Sequence, residues 1–149
     1  MLRFVARAAV LASTVVLASC SSNGARSAEA RIATSTGGVW LDVTIADSEP
    51  ARQHGLQGVT DLPPDRGMAF LFDEPVQASF WMKDTPLALS IAFWGRDGRI
   101  VAVLDMAPCA ADPCPTYRPE VGYVGALEVN LGFFERHGVE VGDRVAIVR

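Results

Sequence analysis

Apolar and polar residues alternate along much of the chain after residue 30, and this alternation predicts β-strands. Residues 39–45 follow it closely, and the glycines at 37–38 join them to a shorter apolar segment at residues 32–34. A period of two residues places the apolar side chains on one face of a strand. The region therefore predicts an antiparallel hairpin with one buried face.

A short helix is predicted after this hairpin. Ser48 can cap its first turn, Pro50 fits that turn, and Gly55 can end it. A loop follows over residues 61–67, and another break is expected at residues 73–75. Further strands are predicted over residues 68–72, 79–83, 87–94, 99–106, 123–129 and 144–148, with a second short helix between Asn130, as its N-cap, and Gly138. These elements predict a mainly β (β-rich α+β) fold, a compact antiparallel sandwich or barrel of about seven short strands with two short helices.

The N-terminal residues 1–19 have the pattern of a secretory signal peptide. Two arginines precede an apolar run from Ala8 to Leu17, which is shorter than the roughly 20 residues that a membrane-spanning helix needs. The sequence Leu-Ala-Ser-Cys at 17–20 resembles the bacterial lipobox, which implies cleavage before Cys20 and a lipid on its sulfur. An ordinary signal peptide with an incidental cysteine is the alternative.

The lipobox implies a bacterial envelope protein, held by lipid on the outer side of the cytoplasmic membrane. Residues 20–29 are small and polar and predict a flexible tether. Residues 30–149 then form a single domain. Cleavage removes two arginines and leaves 11 basic against 17 acidic residues, a net charge of −6. That sign disfavours nucleic acid as a partner.

The remaining cysteines, Cys109 and Cys114, form a pair in a compartment where disulfides persist. We therefore expect them to be bonded. Three prolines already stiffen residues 108–115, and the role expected of this loop is to shape a rim. Thioredoxin-like chemistry requires two intervening residues rather than four. A zinc site would need two further ligands, and His54 and His137 each stand alone on predicted helices. No metal and no cofactor are expected.

Residues 80–86, Phe-Trp-Met-Lys-Asp-Thr-Pro, resemble the FWMKNT-P-L signature of the domain-of-unknown-function family DUF192. Similar blocks occur in the same order at Gly55-Leu56, Gly67–Phe70, Leu87–Phe93, Cys109 with Cys114-Pro115 and Tyr117, Ala126–Val129 and Gly142–Val145. The resemblance spans residues 39–148 and implies a compact, mainly β fold without implying an activity.

This chain departs from the family pattern at three positions. It has Gln57 where the family has Met, Asp84 where it has Asn, and Ser90 where it has Asp. If that aspartate is a catalytic acid in the family, this chain lacks it. The departures argue against importing an enzyme mechanism.

A ligand-binding groove is predicted beside the signature strand. Alternation sends Phe80 and Met82 to the core and Trp81 and Lys83 to the other side. The next strand has one face of small residues, among them Ser90, and small side chains beside large ones leave a groove. Our hypothesis places Trp81, Lys83, Asp84, Thr85, Ser90 and Glu128 around this groove, where they bind a small polar or anionic ligand.

A structural role explains the same residues more simply, and we favour it. In that interpretation Lys83 packs along Trp81, and Asp84 and Thr85 close a turn before Pro86.

Two acidic residues, Asp105 and Glu128, interrupt apolar strands. A buried carboxylate must be paired or protonated, so the two groups could act as an acid and a base. The alternative, which we favour, is an ion pair with Lys83 or Arg52 that stabilises the fold.

The familiar enzyme motifs do not occur in this sequence. It contains no nucleophile elbow, no glycine-rich loop before a helix and no cluster of metal ligands. The predicted function is a non-catalytic, membrane-tethered binding or accessory domain. Two alternatives remain: an envelope enzyme that uses Lys83, Asp105 and Glu128, and a structural partner of another envelope protein.

Overall fold

The computed structural model of the chain describes residues 26–149. The predicted signal peptide and Cys20 lie outside these residues. Nine strands and two helices form the described part: β1 (Arg26–Thr34), β2 (Gly37–Ala46), α1 (Glu49–His54), β3 (Arg66–Val76), β4 (Phe80–Trp81), β5 (Leu89–Trp94), β6 (Ile100–Met106), β7 (Thr116–Tyr117), β8 (Tyr123–Asn130), α2 (Phe133–Arg136) and β9 (Arg144–Val148). Neither of these helices is long and apolar enough to cross a membrane.

Seven strands form one sheet in the order β6-β5-β8-β3-β2-β1-β9, and β4 pairs with β7 in a small second sheet. Every pairing is antiparallel except that of β2 with β3. Parallel neighbours need a crossover connection, and α1 lies within this one. The strands form a sandwich-like arrangement rather than a closed barrel, which confirms the mainly β prediction with nine strands instead of about seven.

The large sheet has an apolar core on each face. We call the side that packs against Leu56, just after α1, the α1 face, and the side covered by Phe133 and Phe134 the α2 face. The α1 face carries Ala46, Phe70, Met82, Leu89, Ile91, Phe93, Met106, Tyr123 and Ala126. The α2 face carries Leu41, Val43, Ala92, Trp94, Ile100, Leu127, Val129 and their neighbours. The predicted alternation along β5 is therefore confirmed.

The first strand begins earlier than the sequence suggested. Arg26 already pairs with Ile45 of β2, so residues 26–29 belong to the sheet and not to the predicted tether. The apolar pattern is weak in this segment because its first residues are exposed. Backbone hydrogen bonds to β2 hold it in place instead.

Three other predicted boundaries are wrong. β3 continues through residues 73–75, and a register shift between Leu71 and Val76 accommodates the proline. The signature strand shortens to Phe80–Trp81 because a turn follows it. Asn130 ends β8 instead of capping a helix; its side-chain amide donates to the Leu62 carbonyl at 2.8 Å.

The two described cysteines are at bonding distance. The sulfurs of Cys109 and Cys114 lie 2.10 Å apart, and their Cα atoms 5.8 Å apart. The predicted pairing is therefore supported. The bond closes a loop that lies beside the turn after β4.

Candidate functional site

A cavity of about 700 Å³ opens on the α1 face, between α1 and β4. Its lining consists of Glu49, Pro50, Arg52, Gln53, His54, Gly55, Leu56, Gln57, Phe70, Phe72, Ala78, Ser79, Phe80, Trp81, Thr85 and Glu128. We call it the α1 cavity. Its volume is within the range typical of small-molecule sites.

Aromatic rings form much of its wall. The ring centroids of Phe70 and Phe80 lie 4.9 Å apart in an edge-to-face contact. Tyr123 is fully buried behind them and donates to the Ala78 carbonyl at 2.8 Å, which fixes the chain before β4. Burial raises the pKa of Tyr123 to about 12, so its hydroxyl remains a hydrogen-bond donor well above neutral pH. Trp81 remains 52% exposed, and its ring is therefore available to a ligand.

Helix α1 forms the opposite wall, and Arg52 docks it onto β3. The Arg52 guanidinium lies over the Phe72 ring, 4.8 Å from its centroid, and its Nη1 donates to the Leu71 carbonyl at 2.9 Å. Its Nη2 is 3.4 Å from an oxygen of Glu49. Its Nε is buried and has no hydrogen-bond partner within residues 26–149. A cation–π contact and one hydrogen bond thus dock the helix onto β3, while the contact with Glu49 lies within α1 itself.

Glu128 is a buried acid in the lining of the α1 cavity. It lies on the central strand β8, opposite Met68 of β3 and Ile91 of β5, and is only 4% exposed. Within the described residues its carboxyl group makes no hydrogen bond and no ion pair; the predicted pairing with Lys83 or Arg52 is therefore wrong. Burial raises the pKa of Glu128 to about 8, because the charged form loses its hydration.

Thr85 reaches the cavity from a tight turn after β4. The Thr85 amide donates to the Met82 carbonyl at 3.1 Å, and Asp84 has a left-handed backbone with φ of 54°. Asn and Asp tolerate this conformation better than most residues, so Asp can stand where the family has Asn. The Thr85 hydroxyl is buried and donates to the Lys83 carbonyl at 3.4 Å, which leaves its oxygen free to accept. The turn predicted at Asp84 and Thr85 is present.

Lys83 points away from the α1 cavity. Its Nζ lies 3.0 Å from a carboxylate oxygen of Asp112, inside the loop closed by the disulfide. The backbone of Cys109 contacts the same turn, since the Asp84 amide donates to its carbonyl at 3.0 Å. Within the described part of the chain, the cation–π contact is that of Arg52 with Phe72 and not the predicted one of Lys83 with Trp81.

Ser90 lies on the α2 face. Its hydroxyl donates to Asp105 at 2.6 Å and accepts from the Gly132 amide at 2.8 Å. Because β5 pairs Ile91 with Glu128, Ser90 points to the side of the sheet opposite to Glu128.

The residues of the predicted groove thus separate into three places. Trp81, Thr85 and Glu128 line one cavity, Lys83 and Asp84 form the turn beside it, and Ser90 joins Asp105 behind the sheet.

Arg52, Phe70 and Phe72 belong to the site although no sequence motif marks them as site residues. The other residues of the cavity lining come from β8 and from the chain around β4, which are distant from α1 and β3 in the sequence. A partial signal existed, since Arg52 lies in a helix predicted to follow the hairpin directly.

The two histidines lie in different places of the described structure. His54 lines the α1 cavity, whereas His137 stacks on Phe133 with ring centroids 4.2 Å apart. Among residues 26–149, no three His, Cys, Asp or Glu side chains come together as a metal site.

The model of DUF192, described as "Uncharacterized ACR, COG1430", matches residues 31–147. The chain belongs to this family. No curated protein sequence matches it.

Two solved structures are similar to the described fold. One, from Sinorhizobium meliloti 1021, carries the description "putative transcription regulator"; it is 31% identical, with a TM-score of 0.74 over 82% of this chain and 94% of that one. The other is a protein of unknown function from Novosphingobium aromaticivorans DSM 12444, 27% identical, with a TM-score of 0.74 over 79% of this chain and 83% of that one. The DUF192 family and these structures share the fold without supplying an activity.

Proposed function

We propose that this DUF192 protein is a lipid-anchored binding domain of the bacterial envelope, which takes a small polar ligand into the α1 cavity. The observation that carries this proposal is the carboxyl of Glu128, which is buried in the cavity lining and has no hydrogen-bond or ion-pair partner among residues 26–149. Buried polar groups in folded proteins nearly always have partners. A group that lacks one and lines an open cavity is placed to meet a ligand.

The cavity also has the composition of a binding site. Aromatic rings provide apolar contact area, and a few polar groups, Glu128, Thr85 and the amides of Gln53 and Gln57, can fix an orientation. The exposed ring of Trp81 can cover a ligand that has entered. An anionic ligand held by Lys83 would instead have to compete with Asp112 for the ammonium group.

The proposed location depends on the N-terminal pattern. The lipobox-like sequence that ends at Cys20 supports export and lipidation, and the first described strand already starts at Arg26, six residues after Cys20. Lipid on Cys20 would therefore hold the cavity close to the membrane surface. Labelled fatty acid should enter the wild-type chain and not a Cys20→Ser variant. Equal labelling of both would exclude the anchor.

Ligand binding can be tested by native mass spectrometry of the full-length protein, extracted from bacterial membranes in a nonionic detergent. We expect an additional mass on the wild-type protein that Trp81→Ala lacks. Trp40→Ala is the matched control, because Trp40 is also exposed, at 60%, and does not line the cavity. Loss of the ligand in both variants, or its retention in both, would count against the cavity as the site.

An envelope enzyme is the second candidate, and the pKa of Glu128 favours it. An acid that is protonated near neutral pH can serve as a general acid. The catalytic set predicted from sequence does not come together, since Asp105 and Lys83 lie elsewhere. Turnover of peptidoglycan fragments, followed by mass spectrometry and abolished by Glu128→Gln, would establish this candidate. Binding without turnover would leave the non-catalytic function.

A further inference from the structure

We propose that the α1 cavity binds an organic ammonium cation, with the carboxylate of Glu128 as its counter-ion and the aromatic rings as its walls. This inference rests on the proposed binding function and specifies its ligand class. Three features support it: the buried acid Glu128, the ion pair of Arg52 with Glu49, and the aromatic rings of the cavity lining.

The balance of charge in the cavity is the first argument. Four charged or ionisable side chains line it, of which Arg52 and Glu49 already form a pair at 3.4 Å. Glu128 has no cationic partner among the described residues. A buried carboxylate is costly unless it is paired. A cationic ligand supplies the missing charge, whereas an anionic ligand would add to the excess.

The nature of the walls is the second argument. Aromatic faces attract cations through the ring quadrupole, and aromatic cages are a known means of binding quaternary ammonium groups. The protein already uses this interaction in the same cavity, where the Arg52 guanidinium lies over Phe72. The rings of Phe80 and Trp81 also line the cavity, and Trp81, which is 52% exposed, is available to a ligand. The net charge of −4, which the proposed cleavage before Cys20 would make −6, adds a field that attracts cations.

Binding of a cation must be coupled to loss of the Glu128 proton. Burial raises the pKa of Glu128 to about 8, so affinity should rise about tenfold per pH unit below that value. The other ionisable groups lining the cavity, Glu49, Arg52 and His54, all come from α1. The residues opposite Glu128 on β3 and β5, Met68 and Ile91, carry no charge. A His54 variant therefore serves as the control for the pH dependence of binding.

The test compares permanent cations with neutral analogues of the same shape. Choline and benzyltrimethylammonium are titrated into the full-length protein in nonionic detergent at pH 6, 7 and 8, beside 3,3-dimethylbutan-1-ol as the neutral analogue of choline. We expect at least one cation to bind, the alcohol to bind at least tenfold more weakly than choline, and affinity to increase about tenfold from pH 6 to pH 7.

Three variants assign the effect to individual residues. Glu128→Gln should lose both the preference for the cation and the pH dependence. His54→Gln should keep the tenfold change in affinity per pH unit, whatever its effect on the affinity itself, because His54 also lines the cavity. Trp81→Ala should weaken binding, while Trp40→Ala should not. Because Trp81 is largely exposed, that variant tests the site even if Glu128→Gln fails to fold.

The outcomes separate this inference from the binding function itself. If neither cation binds, or the alcohol binds as tightly as choline, the ammonium proposal is overturned. A neutral or anionic molecule found in the cavity by native mass spectrometry would also overturn it, while supporting the binding function. If Trp81→Ala weakens the binding of neither the probes nor a native ligand, both proposals fail.

Discussion

Ser90 and Glu128 occupy neighbouring strands at the centre of the sheet, and both are buried polar residues in apolar surroundings. Ser90 is 1% exposed and Glu128 is 4% exposed. On the α2 face, the Ser90 hydroxyl joins Asp105 to the Gly132 amide. On the α1 face, the carboxyl of Glu128 has no partner in the described chain and lines a cavity.

This difference in hydrogen bonding indicates a structural role for Ser90 and a binding role for Glu128. A satisfied hydroxyl stabilises its own surroundings, since its removal leaves another buried group unpaired. An unsatisfied acid makes the folded state less stable than a neutral residue would, so its presence needs another explanation. We interpret the α2 face as the part that holds the fold together and the α1 face as the part that holds a ligand.

The largest expected effect is on the pH dependence of stability. Glu128 has a pKa near its ordinary value of 4.5 when unfolded and about 8 when folded. Its contribution to the free energy of unfolding is therefore fully present below about pH 4.5 and is lost as the pH rises through 8. Glu128→Gln should remove this loss and stabilise the protein at pH 9 by up to about 5 kcal/mol, at about 1.4 kcal/mol per pKa unit.

Chemical denaturation at pH 5, 7 and 9 measures this effect. Glu120→Gln is the matched control, because Glu120 is exposed and forms no ion pair within residues 26–149. The two variants should differ increasingly as the pH rises. Parallel behaviour of Glu128→Gln and wild type at all three pH values would show that Glu128 is charged and compensated, which would end the contrast with Ser90.

Replacement of Ser90 tests the other side of the comparison. Ser90→Ala leaves the Gly132 amide without its acceptor at the start of α2, and should reduce the free energy of unfolding by about 1–3 kcal/mol at every pH. Ser27→Ala, at an exposed position on β1, should have little effect. A Ser90→Ala variant as stable as wild type would mean that Ser90 is not a structural anchor.

The sequence predicted the faces of the strands better than the arrangement of the site. Alternation alone sent Met82 to the core and Trp81 to the other side, as the structure has them. It could not show that Ser90 and Glu128 point in opposite directions, because that depends on the register between β5 and β8. Register is a property of tertiary pairing.

Partners from distant segments were also beyond the reach of the sequence. Nothing local to Lys83 identifies Asp112 as its partner, 29 residues later. The pairing of Cys109 with Cys114 was predictable because only two cysteines remain once Cys20 is assigned to lipid. The family signature identified the fold, but the cavity lies between that strand and α1, whose docking depends on the contact of Arg52 with Phe72.

Removal of the disulfide should affect the α1 face and leave the α2 face unchanged. The bond closes a ring of six residues beside the turn that carries Thr85. A Cys109→Ser, Cys114→Ser double variant should lose at most about 2 kcal/mol of stability. Amide hydrogen exchange should increase at residues 82–85 and stay constant at Gly132. Faster exchange at Gly132 would show that the two faces are coupled.

The smallest expected effect concerns the ion pair of Lys83 with Asp112. Asp112 is 67% exposed, so solvent screens the pair and its contribution should be about 0.2–1 kcal/mol. A double-mutant cycle with Lys83→Met and Asp112→Asn measures this contribution, and the same variants can be titrated with choline. Because Lys83 does not line the α1 cavity, choline affinity should change less than twofold in Lys83→Met. A large change in affinity would place Lys83 at the ligand, and the contrast between the two faces would then have to include the turn after β4.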